Sequence, residues 1–316
     1  MSWCSDMEFS HYSVMLEQCI QALDIKPGGI YVDCTLGGGG HSEQIAMRLK
    51  DGLLIGIDRD EDAIKASSLR LKKYGNTVRL VRGNFADLKQ ILYEMKIERV
   101  SGILFDLGVS SYQLDNSERG FSYRFDAPLD MRMSRQDKLT ARDIVNEYSQ
   151  QDLARIISEY GQERYAAKIA ANICRQRAKS PINTTFELNE IIKRAFPPSE
   201  RYGAKHPSKR TYQAIRIEVN GELKILEKAI RDAVCMLEEG GRLAVITFHS
   251  LEDRIVKNTL RDLATGCICN KNIPVCVCGR TAKIKLITHR PVTADESELE
   301  QNNRSKPAKL RVAQKI

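Results

Sequence analysis

A short apolar segment followed by four consecutive glycines sets the strongest constraint on how this chain folds. Residues 29–42 read Gly-Ile-Tyr-Val-Asp-Cys-Thr-Leu-Gly-Gly-Gly-Gly-His-Ser, and a helix-like segment continues to Leu49. This is the order of strand, glycine turn and helix in a nucleotide-binding βα unit. Glycine is needed there because a Cβ would block positive φ and keep the backbone away from a ligand. The free amides at the start of the helix then face a polar or anionic group.

Apolar runs and helical segments alternate beyond this point. Runs with the length of buried strands occur at residues 30–32, 53–58, 77–81 and 100–105, and amphipathic segments separate them. Such alternation predicts a parallel sheet that is covered by helices on both faces. The predicted fold class is therefore α/β, doubly wound and Rossmann-like.

The alternation stops after Asp106. Residues 112–133 carry many charges and aromatic side chains without periodicity, and three helical patterns then follow without strands at 141–157, 163–177 and 185–196. A long amphipathic segment (212–237), which Asn220-Gly221 could interrupt, and an apolar run (242–248) return to the α/β pattern. We therefore predict a core in two parts around an inserted helical domain for substrate recognition, with boundaries at 1–112, 113–208 and 209–316.

Composition and charge indicate which kind of partner and which cellular location to expect. The 316 residues carry a formal net charge of +8, which favours a polyanionic partner. No apolar run approaches transmembrane length, and the first ten residues lack the basic start and apolar stretch of a secretory signal. We therefore expect a cytoplasmic protein with no membrane partner, in which the nine cysteines are reduced.

Three further side chains fall where the predicted strands end. Asp58 follows the second strand, Phe85 the third and Asp106 the fourth. Ligands of doubly wound folds bind at the carboxyl ends of the strands, where an acid after the second strand accepts hydrogen bonds from ribose hydroxyls. The aromatic ring of Phe85, after the third strand, offers an apolar face that suits an adenine base. These positions predict a bound nucleoside.

Two cofactor classes use this arrangement, NAD and S-adenosylmethionine. The dinucleotide fingerprint G-x-G-x-x-G is incomplete, because its third glycine position holds Ser42 or Glu43, depending on where the count begins. The incomplete fingerprint favours S-adenosylmethionine over NAD.

A series of longer segments carries a more specific signal. In chain order they are Asp33-Cys-Thr-Leu-Gly-Gly-Gly-Gly-His41, Asp106-Leu-Gly-Val-Ser-Ser111, Gln113-Leu-Asp115, Arg119-Gly-Phe-Ser122, Pro128-Leu-Asp-Met-Arg-Met133, Lys205-His-Pro207, Arg216 with Val219-Asn220, and Thr247-Phe-His-Ser-Leu-Glu-Asp-Arg254. Together they resemble the motifs of the bacterial 16S rRNA (cytosine-N4)-methyltransferases, the RsmH or MraW family. The resemblance runs from about residue 11 to the C-terminus.

The resemblance implies a class I methyltransferase that transfers a methyl group from S-adenosylmethionine to N4 of a cytidine. The target would lie in the decoding region of 16S rRNA, within the small ribosomal subunit. The family's cofactor contacts map onto Gly39, Gly40, His41, Asp58, Phe85, Asp106 and Gln113.

Asp106 is also the candidate catalytic residue. The lone pair of the cytosine amine is delocalised into the ring, and an acceptor beside the amine can align that lone pair with the methyl group. DNA amino-methyltransferases place a (D/N/S)-P-P-(Y/F) motif after the fourth strand, whereas this chain has Asp106-Leu-Gly-Val. Two roles therefore stay open for Asp106, contact with the amine and positioning of the cofactor.

His249-Ser250 invites a hydrolase interpretation, but the glycine-flanked elbow of a nucleophilic serine is absent. Ser250 with Asp253 instead predicts a capping box at the start of a helix. Phe248 and His249 end a predicted strand, so we expect them near the pocket of the target base.

The densest basic and aromatic stretch suits contacts with phosphates and bases, although a solvated surface is the alternative. It comprises Arg201, Tyr202, Lys205, His206, Lys209, Arg210, Tyr212 and Arg216. The C-terminal tail is also basic, and its alternating Leu310 and Val312 predict an edge strand beside residues 284–287.

Cys267-Ile-Cys269 and Cys276-Val-Cys278 are the best candidates for metal ligands. Four thiolates suffice for structural zinc, but C-x-C is tighter than the usual C-x₂₋₄-C spacing. We therefore expect free thiols or a metal-tolerant loop here, and no dedicated metal site.

Three other functions stay open at this stage. A DNA amino-methyltransferase would methylate duplex DNA, and an NAD-dependent oxidoreductase would bind nicotinamide. A non-enzymatic RNA-binding assembly factor would bind small subunits without transferring a methyl group.

Overall fold

The computed structural model describes residues 13–201, 206–269 and 277–316, without the side chain of Ser111. These residues form two compact units. The sheet unit contains the described residues of Met1–Gly108 and Glu227–Ile316, and the helical unit is Val109–Leu226.

The elements are numbered along the chain. The first part of the sheet unit contains α1 (Leu16–Leu23), β1 (Ile30–Asp33), α2 (Gly40–Ala46), β2 (Leu53–Asp58), α3 (Glu61–Leu71), β3 (Val78–Arg82), α4 (Leu88–Glu94) and β4 (Val100–Asp106). The helical unit contains α5 (Ser111–Asp115), α6 (Ala141–Glu147), α7 (Gln150–Glu159), α8 (Ala166–Arg177), α9 (Thr185–Lys193), α10 (Pro198–Arg201) and α11 (Ser208–Asn220). After α12 (Glu222–Met236), which crosses the boundary, the second part contains β5 (Leu237–Thr247), α13 (Ser250–Ala264), β6 (Ile284–Leu286), α14 (Glu296–Gln301) and β7 (Lys309–Lys315).

The described strands form one seven-stranded sheet in the order β3-β2-β1-β4-β5-β7-β6. The first five strands are parallel, and β7 pairs antiparallel with both β5 and β6. The order reverses between β1 and β4, since the chain moves outward from β1 to β3 and then returns. This arrangement confirms the predicted doubly wound α/β fold and places the ends of β1, β2 and β4 at one edge.

Strand β4, at the centre of the sheet, is buried along almost its whole length because both faces of the sheet are covered. In β4 every residue from Val100 to Phe105 is buried, and only Asp106 is partly exposed. A buried cluster around Tyr31, Leu54 and Leu104 packs α1 and α2 against one face. In β4 the buried core therefore ends at Phe105, directly before the candidate ligand-binding residue Asp106.

The predicted strand at the C-terminus is present, but it is not at the edge. β7 lies between β5 and β6, with Leu310 opposite Ile246 and Ala313 opposite Leu286. Its Leu310 and Val312 are buried. The alternation predicted an edge strand, whereas β7 is paired on both sides and β6 forms the edge of the sheet.

The helical unit has its own core, which α6, α7, α8, α9 and α11 share around Ile156, Ile169, Ile192 and Ile215. The predicted domain boundary at 208 differs from the boundary of the compact unit at Leu226. The reason is that α11 contributes buried side chains such as Tyr212 and Ile215 to the helical core.

Two predicted helices are divided in the structure. The pattern over 141–157 forms α6 and α7, because Ser149 caps a new helix with its side chain. The pattern over 212–237 forms α11 and α12, and the break is at Gly221, with φ 63°, where the sequence allowed an interruption. None of the described helices is long and apolar enough to span a membrane.

Candidate cofactor-binding site

The glycine turn adopts backbone conformations that other residues rarely take. Gly37 and Gly39 have φ of 49° and 76°. A Cβ on Gly40 would lie 2.0 Å from Ser13 Oγ, whereas a Cβ on Gly38 would meet no heavy atom within 4 Å. Glycine is therefore required at some positions of the turn and not at others.

Two side chains of helix α3 donate hydrogen bonds to carbonyl oxygens of the glycine turn. Ser67 Oγ donates to Gly37 O at 2.7 Å, and Arg70 Nη1 donates to Gly38 O at 2.8 Å. Sequence reasoning missed Ser67 and Arg70, since nothing in the spacing of α3 indicates which side chains face the turn. These two hydrogen bonds restrain the backbone of the turn without the help of a ligand.

Asp58 links β2 to the turn. Its Oδ2 accepts from Gly37 N at 2.8 Å, and its Oδ1 accepts from Asp60 N at 2.9 Å. Burial raises the pKa of Asp58 to about 6. A carboxylate has about four lone-pair positions, so it can also accept from ribose hydroxyls.

A buried network connects β1 to β4. Asp33 accepts from Ser42 Oγ at 2.7 Å and from Thr35 N at 3.1 Å, and burial raises its pKa to about 6. Thr35 Oγ1 accepts from Asp106 N at 2.6 Å. This network sets the backbone at the end of β4, directly beside the start of α2.

Asp106 lies close to His41 but does not form an ordinary ion pair with it. His41 Nδ1 is 3.7 Å from Asp106 Oδ2, and His41 Nε2 is 3.1 Å from Val14 O. A carbonyl only accepts, so the proton of the neutral ring is on Nε2 and the Nδ1 lone pair faces Asp106.

Burial disfavours a charge on either member of this pair. Burial lowers the pKa of His41 to about 4. Burial, reinforced by the charges of Asp33 and Glu252, raises the pKa of Asp106 well above its usual value. Oδ1 of Asp106 is buried and has no hydrogen-bond partner in the described part of the chain. The site therefore contains an acceptor that a ligand donor could satisfy.

Phe85 follows β3 with its ring only partly buried. It packs edge-on against Phe105, with ring centroids 5.6 Å apart at 81°. Asn84 fixes this corner because its Oδ1 accepts from Ala86 N at 3.0 Å. The corner therefore offers an apolar face at the same edge of the sheet as Asp58 and Asp106.

The structure brings most of the predicted cofactor contacts into one unit. Gly39, Gly40, His41, Asp58, Phe85 and Asp106 all belong to the sheet unit. Gln113 belongs to the helical unit, where its Oε1 accepts from Ser110 N at 3.0 Å in a capping box of α5. Its predicted contact with the cofactor stays a prediction.

The start of α13 differs from the predicted capping box of Ser250 and Asp253. The box is formed by His249 and Glu252, because β5 continues to Thr247 and the helix begins at Ser250. Glu252 Oε2 accepts from Phe248 N at 2.8 Å, and Asp253 instead binds Arg311 at 2.6 Å. Phe248 lies beside Gly108, at the end of β4, where a Cβ would be 3.5 Å from its ring. The predicted role of Phe248 and His249 in holding a base stays a prediction.

The basic and aromatic stretch is only partly available to a nucleic acid. Tyr212 is 4% exposed and donates to Thr185 O at 2.8 Å, so it is a core residue and cannot stack on a base. Arg216 forms a bidentate pair with Glu222 at 2.9 Å. Lys209 and Arg210 are exposed, whereas Tyr202 and Lys205 lie outside the described residues.

Comparison with known proteins identifies relatives over almost the whole length. A family model described as the MraW methylase family matches residues 8–316. The chain is 56% identical to ribosomal RNA small subunit methyltransferase H 2 of Agathobacter rectalis, over 98% of this chain and 99% of that protein. It is 50% identical to ribosomal RNA small subunit methyltransferase H of Clostridioides difficile and 51% identical to that of Finegoldia magna, each over 98% of this chain and 100% of the relative.

Proposed function

Because the chain belongs to the MraW methylase family, we propose that it transfers a methyl group from S-adenosylmethionine to N4 of a cytidine in 16S rRNA. The substrate is the decoding region of the small ribosomal subunit, and the reaction takes place in the cytoplasm. Family membership confirms the resemblance seen in the motifs, together with the class of enzyme and its methyl donor.

The residues of the sheet unit fit this donor. The glycine turn has no side chains to block a nucleoside, Asp58 retains acceptor capacity for its ribose, and Phe85 offers a face for adenine. The acidic groups Asp33, Asp58 and Asp106 suit a ligand that carries a positive charge. Gln113 is included among the proposed contacts on the resemblance of its motif alone.

S-adenosylmethionine supplies an electrophilic methyl group on a sulfonium. The buried, unpartnered Oδ1 of Asp106 is the single observation that carries our assignment of the target atom. An amine N–H of cytosine can donate to this oxygen, which would hold the nitrogen lone pair in line with the methyl group.

Asp106 can also take the proton that N4 loses. The N4 lone pair would form the new N–C bond while the bond between the methyl carbon and the sulfonium sulfur breaks, which leaves the sulfur as a neutral thioether. One amine proton must then leave so that the methylated base is neutral. A carboxylate with a raised pKa accepts that proton more readily than an ordinary aspartate does.

The decisive experiment offers three substrates in parallel to the purified protein with radiolabelled S-adenosylmethionine. These are small subunits that lack the modification, naked 16S rRNA and duplex DNA, each digested to nucleosides afterwards. We expect label in N4-methylcytidine from the subunits. Label in DNA would instead identify a DNA amino-methyltransferase, and bound cofactor with no label in any substrate would identify a binding protein.

A further inference from the structure

Three cysteine side chains lie together in the connection between α13 and β6. The Sγ atoms of Cys267, Cys269 and Cys278 all lie within 4.8 Å of one another. Cys267 and Cys278 are exposed, and Cys269 is partly buried. Cys276, the fourth cysteine of the predicted cluster, lies outside the described residues. The connection therefore has two limbs, one that carries Cys267 and Cys269 and one that carries Cys278. The three thiols of these limbs meet at the surface of the sheet unit.

The two limbs are held side by side by contacts that do not involve the cysteines. Lys283 N donates to Leu263 O at 2.8 Å, which joins the start of β6 to the end of α13. The Arg280 guanidinium donates to Thr265 O at 3.1 Å and also to Asp262. These bonds lie next to both cysteine-bearing limbs, so the proximity of the thiols is built into the fold of the connection.

The spacing of the sulfur atoms suits a tetrahedral metal ion. Cys267 Sγ and Cys278 Sγ are 3.7 Å apart. Two thiolates bound to one tetrahedral zinc at about 2.3 Å are separated by about 3.8 Å, whereas a disulfide requires about 2.05 Å. The observed distance therefore matches one edge of a zinc–thiolate tetrahedron.

The backbone around the thiols supports the same interpretation. Cys269 N donates to Cys267 Sγ at 3.4 Å, and such an amide bond favours the thiolate form that a metal requires. Gly279 has φ 59°, which turns the chain directly after Cys278. Soft thiolate ligands select Zn²⁺ over hard ions such as Mg²⁺ or Ca²⁺.

We propose that Cys267, Cys269 and Cys278 bind one Zn²⁺ ion, which staples the connection between α13 and β6. Each thiol loses its proton when the ion binds, and the fourth tetrahedral position is left for another donor. The spacing of the cysteines in the sequence favoured free thiols, because C-x-C is shorter than the usual C-x₂₋₄-C. The structure instead favours a metal site, because the sulfur atoms of the two limbs lie close together although Cys278 is separated in the sequence from Cys267 and Cys269.

The role of the ion is structural. The site is separate from the cluster of Asp58, His41 and Asp106, and the exposed Ile268 and Val277 flank it. Closing the loop between α13 and β6 restricts the unfolded chain, so zinc binding is expected to raise the unfolding temperature of the sheet unit.

The test measures metal in the full-length protein, purified in the presence of reductant and without chelator. Mass spectrometry for metals is expected to find about one zinc per chain. Cys267→Ser/Cys278→Ser should lose most of it, and Cys235→Ser, which removes an exposed cysteine of α12, should retain it. Cobalt exchanged for zinc should produce thiolate-to-metal charge-transfer absorption in the wild type and in Cys235→Ser.

Two results would overturn the proposal. One is reduced wild-type protein that takes up no zinc or cobalt after dialysis against either metal. The other is a double variant that holds as much zinc as the wild type. Should the double variant fail to fold, chelator-treated wild type provides the test, because returned zinc must then restore about one equivalent and raise the unfolding temperature.

Discussion

His41 Nδ1 lies 3.7 Å from Asp106 Oδ2, and burial disfavours a charge on either side chain. In the free protein, burial therefore shifts the Asp106 carboxyl toward its protonated form. A positively charged ligand beside the carboxyl would favour its ionised form, which is the form that can accept a proton from an amine. The same burial that makes this carboxyl costly to ionise makes it a stronger base.

Replacement of Asp106 by asparagine tests this relationship. We expect methyl transfer to fall by about 10²–10⁴-fold, because the amide cannot take the amine proton. The raised pKa means that ionisation opposes folding once the pH exceeds the unfolded value of about 3.9. The variant should therefore unfold at the same or a higher temperature at pH 7.

Asp51→Asn is the matched control for that experiment, since Asp51 is exposed in the turn before β2. It should retain wild-type activity. Wild-type turnover by Asp106→Asn would exclude Asp106 as the acceptor of the amine proton, and a large loss of stability would contradict the direction of its pKa shift.

Binding of S-adenosylmethionine is expected to weaken as the pH falls through about 6. Asp58 has a pKa of about 6, and its protonated form is a poorer acceptor for ribose hydroxyls. Titration calorimetry between pH 5 and 8 measures this directly. Asp58→Ala should weaken binding by about tenfold or more at pH 8, because hydrogen bonds to a charged group contribute roughly 1.5–3 kcal/mol.

Asp58→Asn is the control for the pH dependence, because it keeps an acceptor and cannot titrate. Its affinity should depend less steeply on pH than that of the wild type across the same range. An equally steep pH dependence in this variant would assign the titration to another group, and unchanged affinity in Asp58→Ala would remove Asp58 from the ribose site.

The glycine turn offers a comparison between neighbouring residues. Gly39 has φ 76°, so Gly39→Ala should destabilise the protein by about 1 kcal/mol or more and weaken cofactor binding. Gly38→Ala should change neither, since a Cβ there meets no atom within 4 Å. Thermal unfolding and calorimetry measure the two effects, and equal behaviour of both variants would contradict the assigned geometry.

Asn220 is expected to stabilise the helical unit rather than to contact substrate. Its Oδ1 accepts from Met133 N at 2.8 Å, and its Nδ2 donates to Met131 O at 2.8 Å. Asn220→Ala leaves these buried groups unpaired, which costs about 1–3 kcal/mol. Urea unfolding should show this loss, whereas Gln151→Ala, at an exposed position of α7, should leave the midpoint unchanged. A wild-type midpoint for Asn220→Ala would show that the contact contributes nothing.

The sequence by itself determined the parts of this protein that depend on local patterns. The order of strand, glycine turn and helix follows from apolar runs and glycines that are adjacent in the chain. The positions of Asp58 and Asp106 at strand ends follow from the same runs, because parallel strands bring their carboxyl ends to one edge. The motifs also sufficed to identify the family.

Tertiary structure decided the contacts between residues that are distant in sequence. Only the folded structure brings His41 close to Asp106 and buries the Tyr212 side chain in the core of the helical unit. It also places β7 between β5 and β6. The cysteines are the clearest case, since their spacing argued against a metal site and the packing of two limbs brings their sulfur atoms together. Periodicity describes which face of one element is buried, whereas strand register and packing between elements decide which side chains meet.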